Sequence, residues 1–121
     1  MNFHIPKDWP VFVLDDREDR ILWFKQRVPQ AVFARNAEVA KYELKSADRF
    51  KVCFLDHDLS WVDAGFPERQ YGNGKEIARL LRDLDFKGIV VIHSKNRECA
   101  EKMSEILPRA YVVPYGDFDI S

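Results

Sequence analysis

Short apolar runs alternate with amphipathic segments along most of this chain. Residues 11–14, 52–55 and 89–92 are apolar runs without a turn residue, a pattern typical of strands buried on both faces of a parallel sheet. Shorter apolar runs at 31–33 and 111–113 complete a set of five predicted strands.

Four helices are predicted between these strands. The first covers about residues 17–28 and stops at Pro29, the second begins after Asn36, the third covers 75–84, and the fourth ends at Pro108. Their apolar faces are, in chain order, Ile21, Phe24 and Val28; Ala37, Ala40, Leu44 and Ala47; Ile77, Leu80, Leu81 and Leu84; and Cys99 or Ala100, Met103, Ile106 and Leu107.

Alternating strands and helices predict an α/β fold made of a single domain, residues 1–121. Right-handed crossovers place helices on both faces of a five-stranded parallel sheet, which gives a three-layer sandwich. The expected strand order is 2-1-3-4-5, as in flavodoxin-like folds. The connection 57–74 is long for a link between a strand and a helix.

The sequence predicts no helix after the fifth strand, so the first helix would cover its face of the sheet alone. An apolar patch beyond several hundred Å² is unusual on a soluble monomer. The available cover is the leader with Phe3, Ile5 and Trp9, and the tail with Phe118 and Ile120. Because these side chains are few, we expect a homodimer through this face ahead of a self-covered monomer.

Composition bounds the function classes. Lys and Arg number 19 against 20 Asp and Glu, and the net charge of -1 provides no overall field for nucleic acid or membrane. No apolar run approaches membrane-spanning length and the start lacks the form of a secretion signal, so we expect a cytoplasmic protein. Cys53 and Cys99 are expected to be core thiols in a reducing compartment.

Polar residues directly follow three of the strands. Asp15 and Asp16 follow the first, the Asp-His-Asp run 56–58 follows the third, and His93 and Ser94 follow the fourth. Parallel strands bring these ends to one crevice, where open α/β sheets bind ligands. The alternative is that the acidic residues cap the following helices, which fits one Asp better than an Asp-His-Asp run.

This arrangement resembles the receiver domain of response regulators. Receivers carry an acidic pair after the first strand, a phospho-accepting Asp after the third, a hydroxyl residue after the fourth and a Lys after the fifth. By position, Asp15 and Asp16 match the pair and Asp56 the phospho-acceptor, whereas His93 stands at the hydroxyl position. Pro114 stands where the Lys should be, and the usual fifth helix is missing.

A narrower resemblance is to the receiver-derived family named for cyclic-phosphate processing. It covers most of the chain, from the first strand to the fourth helix, and implies phosphoester chemistry because the name reflects a proposed activity. The residues that carry it are Asp15 and Asp16, the run Asp56, His57, Asp58 and Leu59, and then His93, Ser94, Asn96, Ala100 and Met103.

Clustered carboxylates point to a cation. Like charges about 4–5 Å apart near a protein surface cost on the order of 3–4 kcal/mol per pair, and Mg²⁺ or Mn²⁺ suits an all-oxygen site. We expect Asp15 or Asp16 together with Asp56 as ligands, and the backbone carbonyl of Asp58 as a third. The alternative is that His57 or Lys95 neutralises the cluster, or that one Asp stays protonated.

The residues after the fourth strand suit phosphoester chemistry. His93 is a candidate general acid or base, with a metal ligand or a pocket wall as alternatives. Ser94 is a candidate catalytic residue, either as donor to a phosphate oxygen or as a nucleophile that would need His93 as its base. Lys95 is a candidate phosphate ligand or a solvated side chain. Asn96 is a candidate ligand or the cap of the fourth helix.

Two residues after the third strand complete the predicted site. His57 either contributes a second layer or holds its loop, because its side chain should point away from that of Asp56. Trp61 either stacks on a base or packs the loop.

The leading hypothesis is a metal-dependent phosphoesterase for a cyclic nucleotide or an RNA 2′,3′-cyclic phosphate end. A non-catalytic pseudo-receiver that binds a protein or nucleotide is the main alternative. An atypical receiver phosphorylated on Asp56 is the third.

Overall fold

The computed structural model describes residues 1–59 and 73–121. Trp61 and most of the long connection therefore lie outside the described residues. The elements in chain order are β1 (Asn2–Phe3), β2 (Val11–Leu14), α1 (Glu18–Arg27), β3 (Val32–Ala34), α2 (Ala37–Glu43), a 3-10 helix (Leu44–Arg49), β4 (Val52–Leu55), α3 (Gly74–Asp83), β5 (Ile89–Ile92), α4 (Arg97–Ile106), β6 (Tyr111–Val112) and β7 (Asp119–Ile120).

The central sheet has five parallel strands in the order β3-β2-β4-β5-β6. Counted among themselves, these strands have the order 2-1-3-4-5, so the predicted flavodoxin-like sheet is confirmed. In register, Leu14 pairs with Leu55 and Leu55 with Ile92. The strands β2, β4 and β5 therefore end at the same level, and the residues that follow them are neighbours.

Two apolar cores lie on opposite faces of the sheet. In β2, Phe12 and Leu14 join the core formed with α2, α3 and α4, whereas Val11 and Val13 join the core formed with α1. This alternation follows from the two-residue period of a strand. Since both faces are covered, all four residues of β2 and of β4 are buried.

The leader and the tail close the α1 face. Strands β1 and β7 pair in parallel, with Phe3 opposite Ile120, and Ile5, Phe118 and Ile120 are only 7–8% exposed. The ring of Phe118 stacks on that of Phe54, with centroids 5.8 Å apart. The homodimer was expected because this face would be open, whereas the two segments cover it within one chain.

One helix differs from its prediction. The second helix was expected to run through Ala47, but α2 ends at Glu43 and a 3-10 helix follows, with non-helical angles at Ser46. Leu44 and Ala47 are nevertheless buried. Their spacing of three residues fits both kinds of helix, so it could not reveal the change. None of the described helices is long and apolar enough to span a membrane.

Candidate functional site

Three aspartates meet beyond the carboxyl ends of β2 and β4. One oxygen each from Asp15, Asp16 and Asp56 lies within 4.8 Å of the others. Asp15 and Asp56 are buried, and Asp16 is half-buried. The sheet itself brings them together, because the Asp56 amide donates to the Leu14 carbonyl oxygen at 3.0 Å and so extends the β2–β4 ladder by one step.

Arg20 is the cation that faces this cluster. Its Nη1 atom lies 3.7 Å from Asp15 Oδ2 and 3.7 Å from Asp56 Oδ2, and the residue is buried. His57 or Lys95 was expected in this role from the sequence, and Arg20 was not. A signal was present, because Arg20 lies one turn before Phe24 on the buried side of α1, at the end nearest the aspartates.

The guanidinium of Arg20 keeps hydrogen-bonding capacity. Both of its carboxylate contacts are longer than a hydrogen bond, and a guanidinium has five N–H donors. Its central carbon lies 4.8 Å from the centroid of the Tyr115 ring, a cation–π contact that holds its plane. Tyr115 is in turn fixed by its amide, which donates to the His93 carbonyl oxygen at 2.9 Å.

Asp15 is the most firmly held of the three aspartates. Its Oδ1 accepts the Arg17 amide at 3.0 Å, and its Oδ2 lies 2.8 Å from His93 Nε2. Asp15 and His93 have no exposed surface. His93, expected from the sequence to contact substrate as an acid or base, therefore reaches the crevice in this structure through Asp15.

Burial dominates the electrostatics of the cluster. Loss of solvent raises the pKa of Asp56 to about 6, with Asp15 adding to the rise while His93 and Arg20 oppose it. Burial also raises the pKa of Asp16, and the neighbouring Asp15 adds to that rise. Arg20 therefore compensates the clustered negative charge only in part.

The remaining predicted site residues lie towards α4. The carboxylate of Asp58 does not join the three aspartates. Its Oδ1 lies 2.6 Å from His57 Nδ1, and its Oδ2 accepts a long 3.5 Å contact from the side-chain Nδ2 of Asn96. Ser94 Oγ accepts a hydrogen bond from the backbone N–H of Asn96 at 3.1 Å. Lys95 is exposed.

Asn96 is the N-cap of α4, because its side-chain oxygen accepts the Cys99 amide at 3.2 Å. Ser94 and Asn96 thus shape the turn from β5 into α4. Ser94 is buried and contributes its oxygen to that turn.

A glycine fixes the floor of the site. The Gly74 amide donates to the His57 carbonyl oxygen at 3.0 Å, and a Cβ at Gly74 would lie 2.1 Å from the Asp56 carbonyl oxygen. Only glycine allows α3 to begin this close to the backbone of Asp56. Nothing in the sequence pattern predicted this role for Gly74, which lies just before the predicted third helix.

The aspartate cluster fits a hard divalent cation. The donors are carboxylate oxygens, which Mg²⁺ and Mn²⁺ prefer. Three carboxylates and one guanidinium sum to a formal charge of −2 (3 negative, 1 positive). Mg²⁺ and Mn²⁺ would therefore match this cluster in both charge and preferred ligand type.

Comparisons with known proteins agree with this fold. The family model described as "Cyclic-phosphate processing Receiver domain" matches residues 11–109. The solved structure titled "BeF3 Activated DrrB Receiver Domain" is similar with a TM-score of 0.59 and 19% identity, covering 87% of this chain and 83% of that one. At that identity the likeness concerns the fold. No curated protein sequence matches the chain.

Proposed function

The chain belongs to the cyclic-phosphate processing receiver domain family, and on that premise we propose that it is a metal-dependent phosphoesterase. Its substrate would be a cyclic phosphate, either of a nucleotide or at an RNA 2′,3′-cyclic end. The observation that carries the proposal is the buried group of Asp15, Asp16 and Asp56 with the donor-rich Arg20 beside it.

The cation would be held by the aspartates. Asp16 and Asp56 have the less committed oxygens, and Asp15 supplies a fixed third carboxylate. A bound Mg²⁺ or Mn²⁺ supplies Lewis-acid polarisation of a phosphoryl oxygen and a water of lowered pKa. The carbonyl of Asp58, expected from the sequence as a further ligand, belongs to the same proposal.

Arg20 would bind the phosphate. Its N–H groups make no short hydrogen bond within residues 1–59 and 73–121 and match phosphate oxygens, and the stacked Tyr115 ring orients them. Exposed Lys95, whose Nζ lies 5.9 Å from the same ring centroid, would attract the anionic substrate. Ser94 would donate its hydroxyl proton to a phosphate oxygen.

His93 would act as a positioning residue in this scheme. Its hydrogen bond to Asp15 holds one carboxylate of the cluster in place. The sequence-derived substrate contacts of His57, Asn96 and Trp61 remain predictions, and Trp61 lies outside the described residues.

A panel of cyclic phosphates tests the activity. Purified protein is incubated with 2′,3′- and 3′,5′-cyclic nucleotides and a cyclic-ended RNA, each with Mg²⁺, Mn²⁺ or Zn²⁺, and opened products are separated by chromatography. We expect turnover that Asp56→Asn abolishes. Asp19→Asn is the matched control, since Asp19 is exposed on the same helix as Arg20. No ring opening with any substrate and metal would overturn the proposal.

A second function has its own support. Arg20 and His93 already face the aspartates, which suits a pseudo-receiver that binds a nucleotide or protein without turnover. Calorimetry separates the two, because a binding module takes up a cyclic phosphate with saturable heat and returns it unchanged. Phosphorylation of Asp56 is a third candidate, and incubation with a small phosphodonor followed by mass spectrometry tests it.

A further inference from the structure

A second group of metal-ligating side chains lies between the end of β4 and the start of α4. One donor atom each from His57, Asp58 and Cys99 lies within 4.8 Å of the others. None of these residues belongs to the group of Asp15, Asp16 and Asp56. The donor chemistry also differs, because it offers an imidazole nitrogen, a carboxylate oxygen and a thiol sulfur.

The imidazole of His57 is held beside the other two donors. Its Nδ1 lies 2.6 Å from Asp58 Oδ1, and the residue as a whole is 8% exposed. Its Nε2, on the other side of the ring, is buried and has no hydrogen-bond partner among the described residues. Nδ1 is therefore the nitrogen that offers its lone pair to an ion shared with Asp58, and the ion would take the place of the Nδ1–Oδ1 contact.

Cys99 differs from the other thiol of the chain. Cys53 is fully buried within β4, whereas Cys99 is partly exposed in the first turn of α4. The cap made by Asn96, whose side chain accepts the Cys99 amide, fixes that turn. The sulfur therefore has a defined position beside the His57–Asp58 pair and remains accessible to an ion.

We propose that His57, Asp58 and Cys99 form a binding site for a zinc-type divalent transition ion. Ligands of tetrahedral zinc lie roughly 3.3–3.7 Å apart, given bonds of about 2.0–2.3 Å, so small side-chain movements from the present separations complete the site. The mixed nitrogen, oxygen and sulfur donors select Zn²⁺ or Co²⁺ over Mg²⁺. A bound ion joins the segment after β4 to the start of α4, next to the aspartate cluster.

Cobalt titration tests this site directly. Co²⁺ bound to a thiolate absorbs in the near ultraviolet, and Mg²⁺ bound to carboxylates does not interfere. We expect the band to appear with wild-type protein, to be removed by one equivalent of Zn²⁺, and to persist in excess Mg²⁺. Cys99→Ser should abolish it, and His57→Gln should weaken Co²⁺ binding at least tenfold.

Two controls separate this site from the others. Cys53→Ser removes the buried thiol and should keep the band. Asp56→Asn alters the aspartate cluster and should also keep it, so this result does not depend on phosphoesterase activity. Circular dichroism confirms that each variant is folded. Absence of the band at millimolar Co²⁺ in wild-type protein, or its persistence in folded Cys99→Ser, would overturn the site.

Discussion

The Nε2 atom of His93 lies 2.8 Å from Oδ2 of Asp15, and neither side chain has exposed surface. Removing the partner of such a buried carboxylate leaves an uncompensated charge, which strongly destabilises the folded protein. The pair therefore couples the ends of β2 and β5, which are not neighbours in the sheet. The position of Asp15 in the crevice therefore depends on His93 as well as on the backbone of β2.

Replacing His93 tests this coupling. His93→Ala leaves Asp15 without its partner and removes a buried ring, so we expect a loss of about 3–5 kcal/mol in the free energy of unfolding. His93→Gln keeps an N–H donor and should lose clearly less. Urea unfolding measures both. Equal losses would show that packing, and not the hydrogen bond, is what His93 contributes.

The same two variants separate the roles of His93 in turnover. A positioning role predicts a fall in kcat for His93→Ala with substantial recovery in His93→Gln, whereas an acid–base role predicts a fall of roughly 10²–10⁴-fold in both. Glutamine cannot exchange a proton near neutral pH. An equally large fall in folded His93→Gln would therefore assign His93 a proton-transfer role instead.

Asp56 should make stability depend on pH. Folding raises its pKa from 3.8 to about 6, so the neutral acid is favoured in the folded state. The stability that this provides is complete below about pH 4 and is lost as pH rises through about 6. Asp56→Asn, which stays neutral, should gain up to about 3 kcal/mol over wild type above that range.

Thermal melts in a chelating buffer at pH 4.0 to 8.0 measure this gain. Asp19→Asn serves as the control, because an exposed ion pair contributes little. Similar melting temperatures for wild type and Asp56→Asn at pH 8 would contradict a raised pKa. Adding Mn²⁺ should stabilise wild type and leave Asp56→Asn unchanged.

Replacing Arg20 should change the affinity for metal and the affinity for phosphate in opposite directions. Removing its charge in Arg20→Gln takes a cation from beside Asp15 and Asp56, so Mn²⁺ affinity should rise on the order of tenfold or more. Binding of a cyclic phosphate should weaken over the same range. Calorimetry with each ligand measures the two effects. Weaker binding of both would indicate that Arg20 mainly holds the structure.

Parts of the site could be predicted from the sequence because they depend on strand ends. Asp15, Asp16 and Asp56 directly follow buried strands, and a parallel sheet in register brings such residues together. Arg20 and Gly74 could not be predicted in this way, because their roles depend on how α1 and α3 pack against those ends. Strand periodicity contains no information on helix placement.

The fold, like the site, could be predicted only in part from the sequence. Five apolar runs were enough to predict the order of the sheet, since handedness restricts the crossovers. The cover of the α1 face was underestimated because β1 and β7 are two residues each and show no periodicity. Their pairing joins segments more than a hundred residues apart, which a local pattern does not reveal.

Gly74 should not tolerate a side chain. A Cβ there would lie 2.1 Å from the Asp56 carbonyl oxygen, and backbone atoms on both sides cannot move without shifting β4 or α3. We expect Gly74→Ala to cost about 3 kcal/mol or more. Gly116→Ala, where φ is positive but the space is open, should cost only about 1–2 kcal/mol. Chemical denaturation ranks the two, and equal costs would refute the close approach.

The covered α1 face predicts how this chain associates. Phe118 packs against the rings of Phe3, Trp23 and Phe54, so the surface that would have joined two copies is occupied. We expect light scattering at micromolar concentration to give a mass near 14.2 kDa. Phe118→Asp should open the face and shift the chain towards dimers or larger species, since an exposed apolar patch favours association. A wild-type mass of twice that value would mean that the leader and tail leave enough apolar surface for a homodimer. Two copies would then associate through the α1 face.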